Sequence, residues 1–195
     1  GSHAMGGAGS AAECISIGKS ALSGAITQDG SIAIGHEASK DLTGGIGNIA
    51  IGYQALLVHT EGNRNIAIGY GAMDNTDATA AADGGAGGTP GTLASSDNLF
   101  IGYSSGGGTW TGSDSRYNIG IGNYTLNAAM DDAFYNTTVG YGTLSALTVG
   151  DSNTAIGYAA GNDITTGSWN IFGGGSAGEK LVAGQKNIAM GYAAL

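Results

Sequence analysis

Among 195 residues the sequence has one proline, one cysteine, three histidines and only six basic side chains. The single cysteine, Cys14, excludes an intrachain disulfide and any cysteine-based metal site. Six Lys and Arg against fifteen Asp and Glu leave a formal net charge of −9, which argues against recognition of nucleic acid through its phosphates. Apolar runs last only a few residues, too short for a membrane-spanning helix or a signal-peptide core, so no membrane insertion is expected. Catalytic sets are equally sparse. Residues 1–5, "GSHAM", read as a tag and cloning scar. Beyond them only His36 and His59 remain, each where other repeats carry Tyr or an aliphatic residue, and no nucleophile–base pair is visible. Asp131 and Asp132 are adjacent in a loop and read as a solvated turn rather than an acid/base pair. "GGGSAGEK" at 173–180 has Glu179 where a phosphate loop needs Lys. "DGGAGG" at 83–88 occurs once and lacks the second Asp of a calcium-binding repeat. A non-enzymatic protein without cofactor or metal is expected.

Glycine, by contrast, is abundant: 39 residues without any Gly-X-Y triplet period, in a chain that is 42% hydrophobic. Collagen and disorder are both excluded by those two facts. The glycines belong to a repeat. With the Gly of an "IG" step as origin, units fall at Gly18, Gly35, Gly52, Gly69, Gly102, Gly122, Gly140, Gly157, Gly174 and Gly191. Six of the nine intervals are 17 residues. Four residues before the Gly stands Asn in eight of ten units: Asn48, Asn65, Asn98, Asn118, Asn136, Asn153, Asn170 and Asn187, with Cys14 and Ser31 in the first two. Tyr follows the Gly at Tyr53, Tyr70, Tyr103, Tyr141, Tyr158 and Tyr192.

Each unit reads as a strand with period-two alternation, aliphatic pairs such as Ile49 and Ile51 flanking a small residue such as Ala50. A weaker half-pattern in the eight-residue connectors, with Gly45, Gly62, Gly150, Gly167 and Gly184 at the sixth position, suggests a second short strand and a second corner per period. Of 21 charged residues only Lys19 and Glu37 fall inside the nine-residue motif windows, so the connectors form the solvated edge. A 17-residue unit cannot bury enough apolar surface to fold alone, and stacking on its neighbours supplies the rest. The expected fold is therefore all-β: a parallel β-solenoid of about ten coils over residues 6–195, roughly 48 Å long at about 4.8 Å per coil. Its aliphatic rows are expected inside, its recurring Asn in a hydrogen-bonded ladder. The small-residue face is expected outside, where it would meet copies of itself in a homotrimer.

The aligned repeats resemble two related families. "SIAIG" at 31–35 is similar to the motif of YadA-like trimeric autotransporter adhesin heads. "NIAIGYQAL" at 48–56, "NIAIGYGAM" at 65–73 and "NTAIGYAAG" at 153–161 resemble the N-x-A-I-G-Y-x-A-L repeat of phage tail fibres. The resemblance covers residues 14–195 and implies a left-handed parallel β-roll, an obligate trimer and attachment to a cell surface, on a virion or on a bacterium. The 17-residue interval is longer than that of the adhesin heads, and residues 74–97 interrupt the array. Because the chain ends on a complete motif, it is expected to be a fragment.

Function, on this reading, sits in the connectors. The 24-residue connector 74–97 is either a loop insertion or an eroded coil, since its 16 extra residues nearly equal one period. In "GGTWTGSDSRY", 107–117, Trp110, Asp114, Arg116 and Tyr117 place aromatic planes beside hydrogen-bonding groups, the chemistry that recognises a sugar of a cell-surface glycan or a protein receptor. Trp110 could equally pack on the coil edge over glycine-rich backbone. "AAMDDAFY" at 128–135 is a second aromatic, acidic loop, and Trp169, next to a ladder Asn, is expected to cap the stack locally. An ice-binding solenoid would need a complete outward Thr array, whereas Thr43, Thr60, Thr148 and Thr165 mark only some coils. A glycan-cleaving tailspike would need paired carboxylates on a cleft, with Asp131 and Asp132 the only candidates.

Overall fold

The computed structural model describes residues 4–5, 13–24, 27, 29–76, 95–110 and 112–195. Ten three-residue strands follow in chain order: β1 Ile15–Ile17, β2 Ile32–Ile34, β3 Ile49–Ile51, β4 Ile66–Ile68, β5 Leu99–Ile101, β6 Ile119–Ile121, β7 Thr137–Val139, β8 Thr154–Ile156, β9 Ile171–Gly173 and β10 Ile188–Met190. They form one parallel sheet in sequential order, so the chain is a β-solenoid. Register is strict, with Ile49 opposite Ile66 and Ala50 opposite Ala67, so equivalent repeat positions stack on one another. Among the described residues no helix occurs.

The second strand expected in each coil does not form. Outside the sheet the described connectors are turns and bends, joined by one isolated bridge, Arg116 to Phe134. The backbone shows where the sheet strand ends in each coil. In the third coil Gly52, Gln54 and Leu56 all have positive φ, at 138°, 55° and 51°, and Arg64 adds 54°. A strand cannot persist through alternating left-handed residues. The turns still bond from coil to coil, as in Leu56 N–H to Ala72 O at 3.0 Å and Thr148 N–H to Thr165 O at 2.9 Å.

The strand is also inverted relative to expectation. Ala33, Ala50, Ala67 and Ala155 are fully buried, whereas Ile17 is 58% exposed and Ile156 52%. The small row lines the interior and the aliphatic rows face out. The interior is narrow, and the turn residues Leu22, Leu56, Met73, Leu126 and Leu144, with Leu42, Leu147 and Ile164 from the connectors, already fill it. Only a methyl fits between them and the strand. Where Phe replaces that methyl, residues facing its ring are reduced to glycine. A Cβ on Gly106 would lie 3.0 Å from the Phe100 ring, one on Gly120 2.5 Å from it, and one on Gly161 2.7 Å from Phe172.

The asparagine ladder forms as expected. Asn153 donates its backbone N–H and its Nδ2 to Asn136 Oδ1, each at 3.0 Å, and Nδ2 also to Gly167 O at 2.8 Å. Its own Oδ1 accepts the same pair from Asn170 at 3.0 Å. Each fully buried ladder amide thus places its donors and acceptor on partners. His59 is buried beside the ladder, with Nδ1 2.8 Å from Thr76 Oγ1 and Nε2 3.0 Å from Asn65 Nδ2. The threonine hydroxyls are turned along the stack: Thr43 Oγ1 donates to Thr60 O at 3.2 Å, and Thr148 Oγ1 to Thr165 O at 3.1 Å.

Residues 77–94 of the 74–97 connector lie outside the described residues, but its flanks fix where it emerges. β4 pairs directly with β5, Ile66 opposite Leu99. Met5, read as part of the tag, packs against the core and donates its N–H to Ala21 O at 3.0 Å. Asp74 closes the turn before the insertion with Oδ1 buried and unpartnered. Burial holds its carboxyl above the ordinary value, with a backbone hydrogen bond opposing. A folded-state value above the unfolded one means the ionised carboxylate disfavours folding, and the penalty fades as pH falls through the folded value. Asp74→Asn is therefore expected to raise stability at pH 7 by up to about 1 kcal/mol and to leave it unchanged near pH 3, read from paired urea denaturations.

Candidate functional site

The residue before the ladder position, held by Asn in eight coils and by Cys14 and Ser31 in the first two, is left-handed in every coil. Glu13, Gly30, Gly47, Arg64, Asp97, Tyr117, Tyr135, Ser152, Trp169 and Lys186 have φ between 54° and 78°. This corner turns the chain so that the Asn enters the interior while the preceding side chain stays on the outside, freed from core packing. Chemistry can vary there, and it does. Arg64 and Asp97 form a bidentate pair, Nε to Oδ1 at 2.6 Å and Nη2 to Oδ2 at 2.9 Å. That hydrogen bonding, then the charge of Asp97, raises the Arg64 guanidinium above its ordinary value. The pair is solvent-exposed and contributes little to stability. One coil further, Tyr117 and Tyr135 stack at 5.1 Å between centroids with 3° between planes. Lys186 Nζ lies 5.6 Å from the centroid of Trp169.

Besides the 74–97 connector, those ending at Tyr117 and Tyr135 are lengthened beyond the 17-residue period, and an open hollow of about 260 Å³ lies between them. Its walls are Ser113, Asp114, Arg116 and Tyr117 from one coil and Asp132, Phe134 and Tyr135 from the next. Asp114 Oδ2 accepts from Arg116 Nη2 at 2.5 Å, while Arg116 Nε is buried without a partner. Beneath them Ser115 Oγ accepts from Ala133 N–H at 3.1 Å, which fixes the two connectors against one another. The hollow therefore offers a carboxylate, a guanidinium with spare donor capacity and a stacked phenol pair. That set suits hydroxyl recognition.

Three of the four candidate residues read from sequence, Asp114, Arg116 and Tyr117, come together here. Trp110 does not. It is fully buried, edge-on to Phe100 at 6.0 Å, in the core column that Leu42, Leu147 and Ile164 occupy in other coils. The second aromatic ring comes instead from Tyr135, in the acidic loop 128–135. A register signal was available for it, because Tyr117 and Tyr135 each precede a ladder Asn. Asp131 is engaged structurally, its Oδ1 accepting from Ser113 N–H at 2.5 Å, while Asp132 is exposed at the hollow. The two carboxyls thus face different tasks. Trp169 is 54% exposed on the corner column and caps nothing.

A second outer column runs beside the sheet. His36, Tyr53, Tyr70 and Tyr103 stack in sequence at 5.2, 4.8 and 5.3 Å, and Tyr124, Tyr141 and Tyr158 continue the row. His36 is thus one rung of an aromatic ladder. Beside it Gln54 Nε2 donates to Glu37 Oε2 at 2.9 Å, the main cause holding that carboxyl below its ordinary value. Among the described residues no cluster of three or more His, Cys, Asp or Glu could hold a metal ion. No family model, curated protein or solved structure matches the chain.

Proposed function

We propose that this chain is a non-enzymatic structural and receptor-binding segment of a homotrimeric fibre, a phage tail fibre that attaches a virion to a host cell surface. The observation that carries the reading is the outer face of the sheet. Two mainly aliphatic rows, one from Ile15 to Ile188 and one from Ile17 to Met190, run beside one another over ten coils, interrupted at Thr137, Thr154 and Gly173 and half-buried or exposed throughout. At about 4.8 Å per coil the strip is roughly 43 Å long. A soluble monomer rarely leaves so continuous an apolar surface uncovered. The occupant that matches its repeat, flatness and length is the same face of another copy, and three copies close around one axis without an open end. The self-contact expected of the small-residue face thus passes to the aliphatic face. The number three follows the resemblance of the N-x-A-I-G-Y repeats to trimeric fibres. Three parallel copies would display three identical hollows outward, so that weak sites act together.

Light scattering on the purified protein is expected to give three times the 19.0 kDa chain mass. Ile51→Lys with Ile68→Lys, on the outer rows of β3 and β4, is expected to reduce that to one chain while the circular dichroism stays β-rich. A wild-type mass of one chain overturns the fibre reading.

A further inference from the structure

Tyr135, Ser152 and Trp169 occupy the same corner position in three successive coils, with φ of 60°, 58° and 59°. Equivalent backbone bonds set the steps: Tyr135 N–H to Arg116 O at 3.3 Å, Ser152 N–H to Phe134 O at 2.9 Å and Trp169 N–H to Asp151 O at 2.9 Å. Tyr135 has one face covered by the parallel ring of Tyr117, and Trp169 has one covered by Lys186 Nζ. Both covering groups lie on the far sides, so the remaining faces look toward each other across Ser152. Among the described residues no ring contact joins them, and the two side chains are 60% and 54% exposed. Two coil steps of about 4.8 Å separate the rings by roughly 9.6 Å. A ring inserted at the serine rung would sit about 4.8 Å from each, close to the 5.1 Å of the Tyr117–Tyr135 pair. The aromatic column lacks one member.

We propose that this gap is a binding slot for one hexopyranose ring of a neutral surface glycan, sandwiched between Tyr135 and Trp169. A pyranose with equatorial hydroxyls presents C–H bonds on both faces, which suits two aromatic planes. Its hydroxyls then leave at the rim. Ser152 holds the rung between the two rings, and Asp132 and Arg116 line the hollow beside Tyr135, where the next sugar of the chain would lie. The net charge of −9 opposes an anionic glycan. The inference rests on the receptor-binding part of the proposed function and gives it a ligand class.

The test screens the intact protein on an array of neutral hexose oligosaccharides, then titrates the best ligand by tryptophan fluorescence, with adenosine as a flat-ring comparison. Trp110 is buried and Trp169 exposed, so a saccharide-dependent change in emission reports the slot. Ser152→Tyr supplies the missing ring from the protein itself, at a left-handed corner that Tyr117 and Tyr135 already tolerate. Ser152→Tyr, titrated by fluorescence, and Trp169→Ala, which lacks the reporter and is titrated by calorimetry, are each expected to weaken binding at least about tenfold while the mass in solution stays unchanged. The proposal is overturned if no saccharide on the array binds, if Ser152→Tyr binds as wild type, or if adenosine alone binds. Saccharide binding through the slot by a protein of single-chain mass would sustain the slot and sink the trimer.

Discussion

Gly140→Ala is expected to remove at least about 3 kcal/mol of stability through one added methyl group. Gly140 has φ of 137°, a region that only glycine occupies without strain. Its missing Cβ would point along the stack into the carbonyl of Gly157, the equivalent residue of the next coil. The same relation recurs up the column, each added Cβ meeting the following Gly, as at Gly174, where it would lie 2.6 Å from Gly191 O. The obstacle is backbone, so no side-chain rotation relieves it. The coils must part, straining the bonds from Gly140 N–H to Ile121 O and from Gly157 N–H to Val139 O, both 2.9 Å. Gly142→Ala is the matched comparison. Gly142 also has positive φ, at 61°, but a Cβ there would approach nothing closer than Asn162 Nδ2 at 3.6 Å. At the same register Ala159 and Gln54 already carry side chains at 52° and 55°. Gly142→Ala should therefore cost no more than about 1–2 kcal/mol. Thermal and urea unfolding of both variants decide the matter; equal losses would show that φ alone, not contact between coils, makes the column glycine. Because each coil touches only its neighbours, the Gly140 variant should also split the unfolding transition in two.

The same column explains which parts of the fold could be read before the structure. An invariant spacing between Asn and Gly fixes where the chain returns to the stack, so rung positions, parallel order and the Asn ladder all follow from the repeat. Which strand face points inward does not follow. Alternation divides Ile49 and Ile51 from Ala50 but assigns neither side, and hydrophobicity favours the wrong one. The deciding quantity is the width of the coil, which Leu56, Met73 and the connector residues set from across the interior. The second strand was misread because the glycine recurring at the sixth connector position, as at Gly45 and Gly150, marks a corner whether or not a strand precedes it. Trp110 was read as a binding residue because an aromatic plane close to Asp114 and Arg116 suits a sugar. The extra residues of its connector instead let a large side chain reach the core position held elsewhere by Leu42 or Ile164, and the polar remainder of that connector forms the hollow.

Asn153→Asp is the sharpest test of the ladder, since it changes one atom of a fully buried side chain. The Nδ2 of Asn153 donates to Asn136 Oδ1 at 3.0 Å and to Gly167 O at 2.8 Å. An ionised carboxylate would set an acceptor against both oxygens and leave a charge without a cation in the core, which costs several kcal/mol. Asn153→Ala also deletes the acceptor for two N–H groups of Asn170, yet introduces no charge, so its loss should be smaller, about 3–4 kcal/mol for an emptied node of the network. At pH 7 the order of stability is therefore wild type, then Asn153→Ala, then Asn153→Asp. Acid separates the mechanisms. Desolvation and two facing oxygens raise the folded-state value of the introduced carboxyl above its unfolded value, so stability returns as pH falls through that folded value. A protonated carboxyl regains one donor, and Asn153→Asp should overtake Asn153→Ala below about pH 4. Chemical denaturation of the three proteins across that range provides the measurement. A carboxylate variant as stable as wild type at pH 7 would mean that the amide donors are dispensable, and the coils would then be held by backbone bonds and the alanine–leucine interior alone.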